Sequence, residues 1–232
     1  MTDGLAARLS SWYAEKGPGW KAIAALYTID LLGIWLSDPL TLVGYLPLRS
    51  AISANQTLFL VGTAAFSAGI VLWLSMGQRA TRRWIIFYLS LQTASMAFSV
   101  FVLVRSLSAF QGDSGGTVLF TDAVVLWVTN ILVFALWYWK LDAGGPFHRT
   151  GGGKPHPPDI LFAQRNSKIP GYEDWCPRYI DYLFLAFTAS TEFGPSDTAF
   201  LSRRFKVLSM VQACISLSVL AILAARAVNL IH

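Results

Sequence analysis

The stretch RYIDYLFLAFTASTEFGPSDTAFLSRR, residues 178 to 204, decides how this chain is built. Its first part is too apolar for a loop, yet only ten residues separate Asp181 from Glu192. Ten residues of helix rise about 15 Å, half of a hydrocarbon core of ~30 Å. The spacing therefore predicts a re-entrant half-helix from Tyr179 to Thr191. Pro177 suits the first turn of such a helix, Asp181 stands where the positive end of the helix dipole favours a carboxylate, and Gly194-Pro195 stops it. A polar turn, TEFGPSD at 191 to 197, then leads through Ser202-Arg203-Arg204 into another apolar helix. Non-helical backbone at membrane depth is tolerated only where it is buried in protein or lines a watery cavity, because its polar groups need partners.

A half-span makes sense only beside full spans, and the composition supplies them. Of the 232 residues, 54% are hydrophobic and 13% charged, against the ~25% charged usual for a soluble domain. That excludes an ordinary soluble protein. Five blocks are long and apolar enough to cross a bilayer: about Lys21 to Leu36, Gln56 to Met76, Trp84 to Val104, Thr117 to Trp139 and Phe205 to Ile231. The first is weak, since Asp30 lies inside it and Asp38-Pro39 closes it early. The small residues of GTAAFSAG, 62 to 69, suit close helix packing in lipid. The expected class is an all-α integral membrane protein with about five transmembrane helices plus the re-entrant half-helix. Its divisions are an interfacial segment at 1 to 20 with no secretory signal pattern, a four-helix region at 21 to 140, a polar connector at 141 to 178, and the half-helix, turn and last span at 179 to 232. The connector carries AGGP, TGGGKPHPPD and KIPGYEDWCP, too polar and broken to bury a core of its own. No internal repeat marks a transporter built from inverted halves.

The net charge of +5 reads as topology. Fifteen Lys and Arg fall on one side of these spans and three, Arg49, Arg105 and Arg226, on the other. By the positive-inside rule the N-terminus is expected in the cytoplasm of a bacterial cell, the protein being multi-pass in the inner membrane. The bases are scattered between apolar blocks, so no nucleic-acid partner is expected. The expected partners are the lipid bilayer and either further copies of the chain or the subunits of a membrane complex.

The half-helix, turn and span resemble the pore module of the potassium channel superfamily. The filter pattern of those channels, TTVGYGD, lies without a gap on TEFGPSD and keeps Thr191, Gly194 and Asp197. The aromatic half-helix with Tyr182, Phe184 and Phe187 is also similar. The departures are Glu192 for a threonine, Pro195 for the tyrosine and Ser196 for the second glycine, which speak against a selective ladder of carbonyls. The expected orientation is also reversed, as in the inverted pore loop of the glutamate receptor family. A second resemblance covers more of the chain. An uncharacterised family of bacterial five-span membrane proteins ends in DFLYFSFT, a variable turn ending in SD, paired arginines and an apolar helix ending in VN. Asp181, Tyr182, Phe184, Phe187, Thr188, Ser196-Asp197, Arg203-Arg204 and Val228-Asn229 match that pattern. This resemblance implies a fold and a membrane location and brings no activity.

The candidate ion-pathway residues are Thr191, Glu192, Phe193, Gly194, Ser196 and Asp197, with Asp181, Asp30, Asp122 and Asn130 in support. Glu192 repeated around an oligomer would form an acidic ring suited to weakly selective cation passage. Alternatively Glu192 and Asp197 lie at the interface and pair with Arg203 and Arg204, or Ser196 or Asp197 caps the last helix. Asp122 is close enough to the start of its block to reach the headgroups. Asn130 in mid-span suits interhelical hydrogen bonding, and Trp137-Tyr138-Trp139 reads as an aromatic belt. No cofactor and no metal site is expected. His148 and His156 lack Cys, Asp or Glu at ligand spacing, and the triple glycine before Lys154 lacks the spacing of a phosphate loop. Neither an intramembrane hydrolase nor a metal-dependent enzyme is expected, since no histidine falls within a span. The expected function is an ion-channel-like protein, cation-permeable and poorly selective. The alternatives are a non-conducting accessory subunit and a proton-coupled carrier using Asp30 and Glu192.

Overall fold

The computed structural model describes residues 61, 64, 78–107, 113–149, 156–166, 170–192 and 198–229. The expected interfacial segment, the first block and nearly all of the second lie outside them; of the second, Val61 and Ala64 are helical. The described part is mostly helical. Its elements are α1 (Gln78–Leu107), α2 (Asp113–Leu141), a 3-10 turn (Asp142–Gly144), α3 (Pro146–Arg149), β1 (Ile160–Phe162), α4 (Ala163–Asn166), α5 (Tyr179–Thr191), β2 (Thr198–Phe200) and α6 (Arg203–Asn229). Three of them are long and apolar enough to cross a membrane, over Arg83–Phe101, Phe120–Gly144 and Arg203–Ala225. These are the third, fourth and fifth blocks of the sequence.

The directions of α5 and α6 follow from their contacts with α2, to which α1 is also bonded. Trp137 of α2 donates its indole N–H to Thr93 Oγ1 of α1 at 3.0 Å. Tyr138 meets Gln212 of α6, and Asn130, eight residues earlier, meets Ser216, four residues later. Hence α6 runs antiparallel to α2. Asp142 is bonded to Tyr182 of α5, while Trp127 packs edge-on against Phe187 at 6.1 Å, so α5 is antiparallel to α2 as well. Two consecutive helices, α5 and α6, are therefore parallel to each other. The chain leaves α5 at its far end and is back at the near end by β2, which pairs antiparallel with β1 in the register Ile160↔Phe200, Leu161↔Ala199 and Phe162↔Thr198.

The near end is closed by aromatic packing. Tyr138 stacks on Phe205 at 5.9 Å and lies 5.4 Å from Phe200, while Phe162 meets both Trp175 and Tyr182. This corrects the reading of Trp137-Tyr138-Trp139 as a belt at the lipid surface. All three are buried, because α5 and the β1–β2 pair cover that end of α2. Thr93→Val keeps the side-chain volume and removes the acceptor of the Trp137 indole. It should cost about 1 kcal/mol, read as unfolding in mixed micelles, and no loss at all would mean that the bond adds nothing to the packing of the two helices.

The connector, expected to bury no core of its own, lends Ile160 and Phe162 to the core of the bundle, and it carries the buried Asp142 and Asp159. The turn that re-aims the chain after α2 is left-handed, with Ala143 at φ 48°, Gly144 at φ 79° and Gly145 at φ 101°. A Cβ at Gly145 would stand 2.9 Å from the Lys140 carbonyl oxygen, so both conformation and space require glycine there. Nearer α5, Glu173 accepts the Gly171 amide at 3.1 and 3.0 Å. Hydrogen bonds from its own amide and that of Gly171 hold its carboxyl below the usual glutamate value.

Candidate functional site

Helix α5 is mounted at two points about 12 Å apart along its axis, Tyr182 and Ser190. At its start, Tyr182 donates its phenol to Asp142 Oδ2 at 2.7 Å. Asp142 is fully buried, and its Oδ1 accepts the backbone N–H groups of Asp159 at 2.9 Å and Ile160 at 3.2 Å. The Arg149 guanidinium is equally enclosed. It donates to the carbonyls of Asp142 at 2.7 Å and Trp139 at 2.9 Å, lies 3.9 Å from Asp142 Oδ2, and sits 5.0 Å over the Tyr182 ring. It thereby adds side-chain donors at the end of α2 and its turn, where the Asp142 carbonyl also accepts the Gly145 amide at 2.8 Å. Asp159 in turn holds Arg204 by two hydrogen bonds and accepts the Leu201 amide at 2.8 Å, which ties the start of α6 to the same knot.

Deeper, the mount is Gln212, also fully buried. Its Oε1 accepts the Tyr138 hydroxyl at 2.6 Å, and its Nε2 donates to the Ala186 carbonyl at 2.7 Å and to Ser190 Oγ at 2.8 Å. Its own carbonyl receives Asn130 Nδ2 at 3.4 Å, and the same amide nitrogen donates to Ser216 Oγ at 2.7 Å. Asn130 Oδ1 is buried without a hydrogen-bond partner.

The candidate residues divide accordingly. Thr191 and Glu192 form the exposed far tip of α5. The Thr191 hydroxyl turns back onto the carbonyls of Phe187 at 3.1 Å and Thr188 at 3.4 Å, and the Glu192 amide donates to Thr188 O at 2.8 Å. Asn130 is brought near that tip, two hydrogen bonds from Ser190 by way of Gln212. Asp181 is at the opposite end of α5, where its Oδ2 accepts the Arg178 amide at 2.6 Å. The helix-start role read for it is thus observed, although the cap is Arg178 and Pro177 lies one residue further out. Asp122, half-buried, is about 30 Å of helix from Asp142 and belongs to the other rim of the bundle. Asp30, Phe193, Gly194, Ser196 and Asp197 lie outside the described residues. Arg204, weighed as a partner for Glu192 or Asp197, is held by Asp159. Among the described residues no group of three or more His, Cys, Asp or Glu is placed to hold a metal ion.

Sequence reasoning missed Asp142, Arg149 and Asp159. The signal available was that Asp142 stands three residues past an apolar block and two before a glycine pair, where the chain turns back. Together the described part defines a bundle of three membrane-length helices holding a half-length helix between two buried polar knots. No family model, curated protein or solved structure matches the chain.

Proposed function

We propose that this protein is an ion-channel-like, multi-pass membrane protein rather than an enzyme, with five spans and α5 as a re-entrant helix entering from the cytoplasmic side. An oligomer would place the turn from Thr191 to Asp197 around a cation-permeable, poorly selective path. The observation that carries this reading is the exposure of Glu192 at the tip of a helix parallel to its successor. About 20 Å of helix separates Glu192 from Arg178, which shares the near end with Lys140, Arg203 and Lys206. A carboxylate exposed at such depth is expensive against lipid and is accommodated by water or by a symmetric neighbour. A ring of such carboxylates favours cations and discriminates poorly among them.

In proteoliposomes the wild type should pass small cations, and Glu192→Gln should bring the cation-over-anion permeability ratio down several-fold, toward one. A wild type that conducts nothing across voltage, pH and calcium would sink the proposal. The alternative, a non-conducting subunit of a larger complex, draws support from the apolar outer stripe of α5, Ile180, Phe184 and Phe187, all exposed. Isolation in mild detergent separates the two: a symmetric homo-oligomer favours the channel, and a reproducible different partner favours the subunit.

A further inference from the structure

We infer that Gln212 is the positioning residue of the α5 tip, fixing the depth and rotation at which Glu192 is presented; its bearing on ion passage rests on the channel reading above. The side chain is fully buried among three helices, and each of its polar groups is used on a different one: Oε1 on Tyr138 of α2, Nε2 on Ala186 and Ser190 of α5. The two bonds to α5 are placed where they control its end. Ser190 is two residues before Glu192, and the Ala186 carbonyl is one turn earlier on the same face. On the outer face of the helix Ile180 and Phe184 are exposed, and Phe187 meets Trp127 only edge-on, an apolar contact that does not fix height or rotation. Apolar packing permits a half-helix to slide or roll by small steps, whereas a planar amide bonded at both ends accepts one rotation and one height. Losing Gln212 therefore frees the tip while leaving the Tyr182–Asp142 anchor at the start of α5 in place.

The test reads the tip directly. In full-length protein carrying Cys176→Ser, Cys214→Ser and Glu192→Cys, the thiol at position 192 is labelled in proteoliposomes by a charged, membrane-impermeant maleimide. Gln212→Met keeps the volume, removes the bonds to α5 and leaves the Tyr138 hydroxyl without its acceptor. Adding Tyr138→Phe removes that orphan, so thermal stability should recover while the labelling rate stays changed by about tenfold, the effect expected for two lost interhelical bonds. A residue that served only stability would show normal labelling once stability recovers. A rate within about twofold of the parent in the folded double variant overturns the inference. Ser190→Ala removes one of the two bonds from a position that stays helical and should shift the rate in the same direction by a smaller factor. An unchanged rate there overturns the inference too, even if both Gln212 variants fail to fold. Ion flux of the unsubstituted protein is measured in parallel: its absence defeats the channel reading, and the labelling result still decides the role of Gln212.

Discussion

Asp142→Ala should cost the folded protein about 3–5 kcal/mol, the cost typical of breaking a buried ion pair by removing one partner. Four groups converge on this carboxylate: the Tyr182 hydroxyl, the Asp159 and Ile160 amides, and the Arg149 guanidinium 3.9 Å away, whose side chain is 2% exposed. Removing the acceptor leaves a phenol and two amides unpaired and a buried cation with carbonyl acceptors but no counter-charge, and each carries its own desolvation penalty. Asp142→Asn keeps one acceptor oxygen and should lose less. Arg204→Ala provides the contrast. Its side chain is 54% exposed, so its pair with Asp159 is screened by solvent and should be worth no more than about 1 kcal/mol. Equilibrium unfolding in mixed micelles, followed by tryptophan fluorescence, ranks the three variants. An alanine variant at 142 that unfolds like the one at 204 would mean that the knot is not what fastens the connector to the bundle.

Tyr138→Ala should be of comparable severity, about 3–5 kcal/mol, because it opens a cavity where α2, α6 and β2 meet. The ring is fully buried against Phe134, Phe200 and Phe205. Tyr138→Phe leaves that packing intact and gives up the hydroxyl's bonds to Gln212 and Ser209, so about 1–2 kcal/mol is expected. The ratio between the two losses is the informative quantity. Equal losses would show that the hydroxyl, and not the aromatic cluster, carries the energy at this junction. A double-mutant cycle between positions 138 and 212 then isolates the bond itself, since the residues are in direct contact and their effects are not additive.

What the sequence disclosed and what it hid follow from range. The three described membrane-length helices and the short helix from Tyr179 to Thr191 were legible because apolar length and punctuation by Pro177, Gly194 and Pro195 are local properties. The separation of Asp181 from the Thr191–Glu192 tip was legible for the same reason. The burial of Trp137, Tyr138 and Trp139 was not, since aromatics at a span end look alike whether lipid or a neighbouring helix covers them. Asp142 and Arg149 sit in a segment whose composition reads as a solvated link. Only the pairing of Asp142 with Tyr182, 40 residues away, turns that link into a clasp. Gln212 was visible as a polar residue in an apolar helix, yet its partners Tyr138 and Ser190 lie on two other helices, and no spacing rule connects them. The same holds for Arg204, whose acceptor is a residue of the connector and not one of the acids near it in the chain.

The long reach of these bonds has a consequence for biosynthesis. Asn130 precedes its partner Ser216 by 86 residues, and Tyr138 precedes Gln212 by 74. At ribosomal speeds of about 5–20 residues per second, α2 waits roughly 4–17 s for the helix that completes its polar contacts. During that interval an amide and a phenol stand inside the nascent bundle without their final partners, and α5 arrives before the glutamine that holds it. Helix α6 thus completes the assembly: chains released before it emerges carry every other described element and keep the Asp142 anchor, but lack the glutamine that joins α2 to the far half of α5.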